Sequence, residues 1–443
     1  MERLPRIFAL ALPIIGGMVS QNVLNLVDTA MVGRLESPAA ALGAVGLGGF
    51  ANFAAMALIL GLATGVQATA ARRKGEERFD EMARPLNAGL TIALVVAPLL
   101  SLVLYLLTPA FYPWLVDDPA VVELGVPYLQ IRLLSMVFVA MNFAFRGYWN
   151  AVDMARVYMG TLVVMHAVNI ALNYVLIFGH FGAPALGVTG AGLASALSTM
   201  VGTGVYLTMG WRHARGAGFL AARPKWQELR RLIGLSLPSS VQQLAFSMGM
   251  LTTFVIVGQL GTLELGAANI LINVMLVVLL PGMGFGLASA TLVGQALGRD
   301  DAADAARWGW DVCRVSALAL TVLAVPIWAA PEWIIGLFLG ADAGNSLIEV
   351  ARFPMRLVGL SMTIEAAGMV FMHSLLGAGD TRRVMFVAVS MQWGLFLPVA
   401  WLIGPVLGGG LTAVWLAQII YRALQTAVFW RLWVGRRWSA VTV

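Results

Sequence analysis

Hydrophobic runs separated by short polar segments recur along the whole chain. They lie near residues 7–33, 42–70, 87–108, 122–145, 157–179 and 187–209, and again near 232–258, 265–297, 311–330, 347–376, 384–404 and 411–434. Each meets the ~20 residues that a helix needs to cross ~30 Å of hydrocarbon. Backbone polar groups in lipid must be satisfied within the segment, so the runs are helices. The pattern predicts an all-α polytopic membrane protein of twelve transmembrane helices, the longest of them tilted or projecting beyond the bilayer. The first run follows a basic start, has no A-x-A cleavage site and continues through Asp28 to Gly33, which predicts an uncleaved first helix.

The runs fall into two similar sets. An offset of 225 aligns Leu12-Pro13 with Leu237-Pro238, Val32 to Leu35 (VGRL) with Val257 to Leu260 (VGQL), and Gly61 to Thr64 with Gly286 to Ser289. After a small gap, Asn150 to Val157 (NAVDMARV) matches Gly377 to Val384 (GAGDTRRV), and Gly187 to Ala194 matches Gly410 to Ala417. Six helices preserve direction across a membrane, so the halves are parallel repeats. That architecture recurs in transporters that work by alternating access, whereas channels more often assemble pores from rings of subunits. The longest connection is basic and splits the chain into an N-lobe (1–210), a linker (211–231) and a C-lobe (232–443).

Composition agrees. Of 443 residues, 60% are hydrophobic and 11% charged, where a soluble domain has roughly a quarter charged. The net charge of +6 does not point to nucleic acid, because the basic residues sit in short inter-span patches. With both termini in the cytoplasm, 23 of the 28 Lys and Arg residues fall on the inner side, as the positive-inside bias requires. The expected location is a bacterial plasma (inner) membrane, the chain acting as a monomer. A single cysteine, Cys313, excludes an intramolecular disulfide and a cysteine-rich metal site.

Polar groups inside spans carry the candidate chemistry. An ionised carboxylate at mid-membrane costs ~2.5–3.5 kcal/mol on insertion scales, so Asp28 must face protein or water. Gln21, Asn25 and Asp28 share one helical face beyond Pro13, and His166, Asn169 and Asn173 share one face of the fifth span. Asn173 and Asp28 lie at similar depth. A carboxylate among amide oxygens suits Na⁺, and one in a poorly solvated pocket suits H⁺. Glu365, deep in the tenth span, is a second candidate, with pairing to a basic group such as Arg356 as the structural alternative. The repeat sets Thr253 opposite Asp28. The cation-binding candidates are Asp28, Asn169, Asn173 and Glu365, with a Na⁺ site at Asp28 or Glu365. Gln21, Asn25, His166 and Thr253 join Asp28, Asn173 and Glu365 as cavity candidates. Asp153 and Asp380 are repeat equivalents at cytoplasmic helix junctions, each followed three residues later by Arg, and read as helix caps or interlobe salt bridges. The 22 methionines and many aromatics suit a pocket for flat hydrophobic cations.

Asp300 to Asp304 (DDAAD) resembles the Mg²⁺ motif of prenyl-transferring enzymes but occurs once, next to Arg299 and Arg307. Pro281 to Ala290 is glycine-rich but lies within a span, where Gly282 and Gly286 make a close-packing pair. No nucleophile elbow, P-loop or metal-binding His cluster is present, so neither catalytic residues nor a cofactor are expected.

Val27 to Leu35 (VDTAMVGRL), Asn169 to Ala196, Leu292 to Asp301 (LVGQALGRDD) and Gly377 to Val384 resemble the multidrug and toxic compound extrusion family, and its NorM-type branch most. The resemblance spans nearly the whole chain. It implies two six-helix lobes and H⁺- or Na⁺-driven export of drug-like, often cationic or amphipathic small molecules. The family's first-span acid falls on Asp28, its first-span Gln on Gln21, the fifth-span polar pair on Asn169 and Asn173, and the NorM-type tenth-span acid on Glu365. That branch's seventh-span Glu falls on Phe246, so a C-lobe Na⁺ site built from two acids is incomplete here. The alternatives are a lipid-linked saccharide flippase of a related superfamily, which would favour a cationic cavity, and an intramembrane prenyl-transfer-type enzyme using Asp300 to Asp304.

Overall fold

The computed structural model describes residues 3–338 and 345–443. Among these there is no strand, and the chain is helical nearly throughout. The long helices in order are α1 (Arg3–Val32), α2 (Pro38–Gly75), α3 (Arg84–Phe111), α4 (Pro119–Leu134), α5 (Met136–Ala151), α6 (Ala155–Phe178) and α7 (Gly187–His213). They continue as α8 (Trp226–Gly258), α9 (Thr262–Gly298), α10 (Ala302–Ala329), the short α11 (Pro331–Gly336) and α12 (Asn345–Gly377). The chain ends with α13 (Thr381–Val389), α14 (Leu397–Trp401) and α15 (Gly410–Val434), with wider π-type turns over Ser390–Phe396 and Leu402–Val406.

By length and composition, ten of the described helical segments can cross a membrane, and eleven when α4 and α5 are taken as one span bent by 49°. The bend falls at Ser135, whose hydroxyl donates back to the Arg132 carbonyl at 2.7 Å, a known cause of helix kinks. The twelfth expected span is α15. At 25 residues it is long enough, but Gln418, Arg422 and Gln425 lower its apolar content below that of the others. Local chemistry sets the helix starts. Asp118 caps α4 by accepting from Ala120 N at 2.9 Å, followed by Pro119 at the first turn. Asp301 caps α10 through Asp304 N at 2.7 Å.

The chain forms two compact units. One is Gly16–Leu244, and the other joins Met1–Ile15 to Ala245–Val443. The change-over therefore falls inside α1 and α8, shortly after Pro13 and Pro238, rather than at 211–231. The connection after α7 packs onto the 16–244 unit. Phe219 is buried there, and the Asn87 side chain donates to Gly218 O at 2.8 Å and accepts from Leu220 N at 3.0 Å.

Each unit has its own core, with helices crossing at repeat-related points. In the 16–244 unit, Leu62, Val66, Phe145, Tyr148 and Trp149 form the centre, and Phe145 stacks on Tyr206 at 5.3 Å. There α5 crosses α2 so closely that a Cβ on Gly147 would lie 2.3 Å from the Ala63 carbonyl oxygen. The repeat brings Gly147 onto Ser374, and in the 245–443 unit Ser374 on α12 meets Ser289 on α9 with hydroxyl oxygens 2.6 Å apart. Gly282 and Gly286 do pack closely, beneath Met369 and His373 of α12. The junction acids differ from each other. Asp380 pairs with Arg383 at 3.1 Å and Asp153 with Lys74 at 2.7 Å, partners that lie in the same unit as the acid.

Candidate functional site

In the 16–244 unit, α1 and α6 come together because α1 is bare at Gly16 and Gly17. A Cβ on Gly17 would sit 2.8 Å from the Tyr158 ring. The close approach brings the two expected polar faces into one network. The Asn173 Nδ2 donates to Asp28 Oδ1 at 2.6 Å and to Asn169 Oδ1 at 3.0 Å. Asn169 Nδ2 donates to the hydroxyls of Ser195 and Ser198 on α7, at 3.2 and 3.3 Å. Nearer the start of both helices, His166 Nε2 lies 3.3 Å from Gln21 Oε1, and Gln21 Nε2 donates to Asn25 Oδ1 at 3.3 Å.

Exposure grades across this network. Asn169, Asn173 and His166 are buried, Asp28 is half-buried, and Gln21 and Asn25 are exposed. The carboxylate thus stands at the boundary between packed helices and an open face. Arg132 on α4 is the charged group that acts on it. One buried acceptor, Asn173 Oδ1, has no hydrogen-bond partner. Buried polar atoms are normally satisfied, so this oxygen next to Asp28 is an open position for a cation or a proton. Rotating the Asn169 amide puts its nitrogen 2.9 Å from Asp28 Oδ1 and its oxygen 3.2 Å from Ser195 Oγ. That rotation leaves two amide nitrogens 3.0 Å apart, but without it the Asn169 oxygen stands 2.9 Å from Asp28 Oδ1, so the rotated arrangement suits the charged carboxylate. In either orientation an amide N–H of α6 meets the carboxylate.

Charge-assisted hydrogen bonds contribute ~1.5–3 kcal/mol. Asn173→Ala is therefore expected to cut efflux severalfold at matched expression, in cells loaded with a fluorescent cation. Undiminished efflux would show that Asp28 works without this amide.

The 245–443 unit treats its deep acid differently. Glu365 Oε1 on α12 lies 3.2 Å from Arg422 Nε on α15, both side chains nearly buried at 9% and 15% exposure. The basic partner considered from the sequence, Arg356, is not the one found. Arg422 also donates through Nη1 to Gln425 Oε1 at 3.2 Å, and Gln425 Nε2 donates to the Tyr421 hydroxyl at 3.1 Å. Beside the guanidinium is a narrow cavity of about 50 Å³ lined by Phe246, Met250, Thr253, Gln392, Gln418 and Arg422, among others. Under the offset of 225, Gln21, Asn25 and Asp28 fall on Phe246, Met250 and Thr253. The cavity is thus the repeat counterpart of the Asp28 face, with its acid and amides replaced by Phe, Met and Thr. Thr253 lines it, its hydroxyl turned back to Gly249 O at 2.9 Å.

The family model for MatE matches residues 13–175 and again 238–402. The two matches start at Pro13 and Pro238, the same offset as the internal repeat. The chain belongs to the MatE family.

Similar proteins agree. The chain is 27% identical over 434 residues to the multidrug resistance protein MdtK of Yersinia pseudotuberculosis, covering 96% of this chain and 90% of that one. It is 30% identical over 422 residues to a probable multidrug resistance protein NorM of Bradyrhizobium diazoefficiens, covering 92% and 88%. Its fold matches a multidrug resistance MATE family transporter in an outward-facing conformation with a TM-score of 0.88, at 19% identity, over 99% of this chain and 96% of that one. A transporter of the MOP superfamily from Pyrococcus furiosus matches at 0.86 and 20% identity, over 97% and 95%. This protein is a multi-pass MATE multidrug efflux transporter.

Three groups in this MatE chain were not expected from its sequence. Ser195 and Ser198 complete the Asn169 network and belong to a small-residue stretch of α7, where i, i+3 spacing was the available signal. Arg422 completes Glu365. The acidic run Asp300 to Asp304 is occupied in another way. Asp304 pairs with Arg3 and with Arg299 (3.0 Å), and accepts from Trp308 Nε1 at 3.0 Å. Its carboxylate is a structural hub, and among the described residues no group of three or more His, Cys, Asp or Glu side chains could hold a metal ion.

Proposed function

We propose that this MATE transporter is a cation-coupled antiporter, in which an inward-moving H⁺ or Na⁺ is taken up at Asp28 and drives export of cationic or amphipathic drug-like molecules by alternating access. The observation that carries the reading is the half-buried Asp28 carboxylate held by Asn173 at 2.6 Å beside an amide oxygen with no donor. Such a group can be neutralised by either cation, and binding would shift the balance between two conformations only through a difference in affinity. One inward charge supplies ~2.3 kcal/mol per 100 mV, and a tenfold proton gradient adds ~1.4 kcal/mol.

The names of the relatives, multidrug resistance proteins of bacteria, support drug-like substrates and an inner-membrane location. The distribution of Lys and Arg supports cytoplasmic termini. The expected working form is a monomer in lipid. The deep groups of the 16–244 unit are a carboxylate and amides, which disfavours a diphosphate-bearing lipid as substrate.

The deciding experiment is efflux of ethidium from vesicles reconstituted with the full chain, under imposed Na⁺ and pH gradients separately. Export driven by one of them supports antiport and names the ion. Export that neither gradient accelerates, with the membrane potential clamped, would remove cation coupling.

A further inference from the structure

The repeat places two versions of the same pocket in one chain, and the two differ in how negative charge is balanced. In the 16–244 unit the acid sits on α1, faces amides and has an open oxygen beside it. In the 245–443 unit the corresponding helix positions are Phe246, Met250 and Thr253, and the acid has moved to α12 as Glu365. A guanidinium is already there, with Arg422 Nε 3.2 Å from Glu365 Oε1.

The surroundings of Arg422 fit a cation that can leave and return. Its guanidinium lies 5.9 Å from the Phe246 ring centre and 5.4 Å from that of Tyr421, within the range of cation–π attraction. Gln425 Oε1 accepts from Nη1, while Nε has no well-directed acceptor. The adjoining cavity carries the Gln392 and Gln418 amides, whose oxygens can accept from a displaced guanidinium. Gln392 is set there by the π-type turn Ser390–Phe396, packed on the bare backbone of Gly249; such turns often mark functional positions.

Resting on the antiport reading, we propose that Arg422 is a tethered counter-cation. It holds at Glu365 the place that a free exchanged cation would otherwise take, so this unit binds no Na⁺ of its own. A substrate bearing an ammonium or guanidinium group competes with Arg422 for Glu365, and the displaced side chain moves into the neighbouring cavity. Arg422 returns when the substrate leaves. The exchange moves charges between fixed partners and needs no ion from outside.

The test uses the purified full-length transporter, with ²²Na⁺ binding measured at pH 8 on folded, monodisperse protein. Arg422→Gln should bind an additional Na⁺ per chain relative to wild type, and the gain should vanish in Glu365→Gln/Arg422→Gln. Arg422→Lys, which keeps a tethered cation, should bind no more Na⁺ than wild type. Folded Arg422→Gln with the wild-type count of Na⁺ would overturn the proposal. Where Arg422→Gln does not fold, Glu365→Gln alone decides. An unchanged Na⁺ count supports a tethered counter-cation, and a lost Na⁺ shows that Glu365 binds the free ion despite Arg422. These outcomes are independent of gradient-driven ethidium efflux from vesicles, on which the antiport reading itself stands or falls.

Discussion

Asp28→Asn should leave the transporter in the membrane at normal abundance and remove its ability to concentrate substrate outside the cell. The asparagine keeps the size of the side chain and can still meet Asn173, which now donates at 2.6 Å. It cannot take up a positive charge. With one charge fewer moving inward per cycle, the gradient that 100 mV can sustain loses ~2.3 kcal/mol, or roughly fiftyfold. Cells carrying the variant should retain ethidium or norfloxacin like cells without the transporter. The measurement is efflux at equal, immunoblotted expression, and wild-type rates from Asp28→Asn would end the role given to this acid. The loss should be larger than for Asn173→Ala, because in the proposed cycle Asn173 only positions the carboxylate whereas Asp28 is the group that changes charge.

Gly147→Val should have an effect of comparable size by a different route, on the amount of folded protein. The added Cβ would stand 2.3 Å from the Ala63 carbonyl oxygen, a backbone atom that cannot rotate away. The α2 and α5 helices would have to separate through a tightly packed part of the 16–244 unit, against Tyr148 and Trp149, which are fully buried. Overpacking of this kind costs ~1–3 kcal/mol where neighbours can adjust, and more is expected against rigid backbone. The predicted result is a large fall in monodisperse protein after detergent extraction, and a lower Tm for what survives. Gly160→Ala on α6 is the control. Nothing lies within 4 Å of its Cβ position, and alanine is the better helix former by ~1 kcal/mol. Equal yields of Gly147→Val and wild type would show that the crossing is looser than described.

The contrast between Asp28 and Glu365 shows where sequence reasoning reached and where it stopped. Gln21, Asn25 and Asp28 share a face because positions four and seven residues apart on a helix must do so. The same rule gathered His166, Asn169 and Asn173 on α6, and the two faces do meet. Similar depth along two spans was enough to suggest that they would, since helices in a bundle cross at limited angles and stay roughly level. Arg356 illustrates the same rule in reverse. It lies nine residues before Glu365 on one helix, about 900° of rotation at ~100° per residue, and so projects to the opposite face. Periodicity alone disfavoured that pairing. It could not supply Arg422, which is on another helix. Nor could it show that the twelfth span, α15, would carry a charge inward toward Glu365.

What the sequence determined by itself is one-dimensional in its physics. Long apolar runs must become helices in lipid, Lys and Arg sort the loops between them, and a repeat at an offset of 225 fixes two sets of like elements. Each of these follows from local composition and spacing. The partners of the charged groups, the change-over between units inside α1 and α8, and the conversion of Phe246, Met250 and Thr253 into a cavity were decided only by the tertiary structure. They depend on how each helix is rotated and how closely it approaches its neighbour. Bare positions such as Gly17 and Gly147 set these through contacts between residues far apart in the chain.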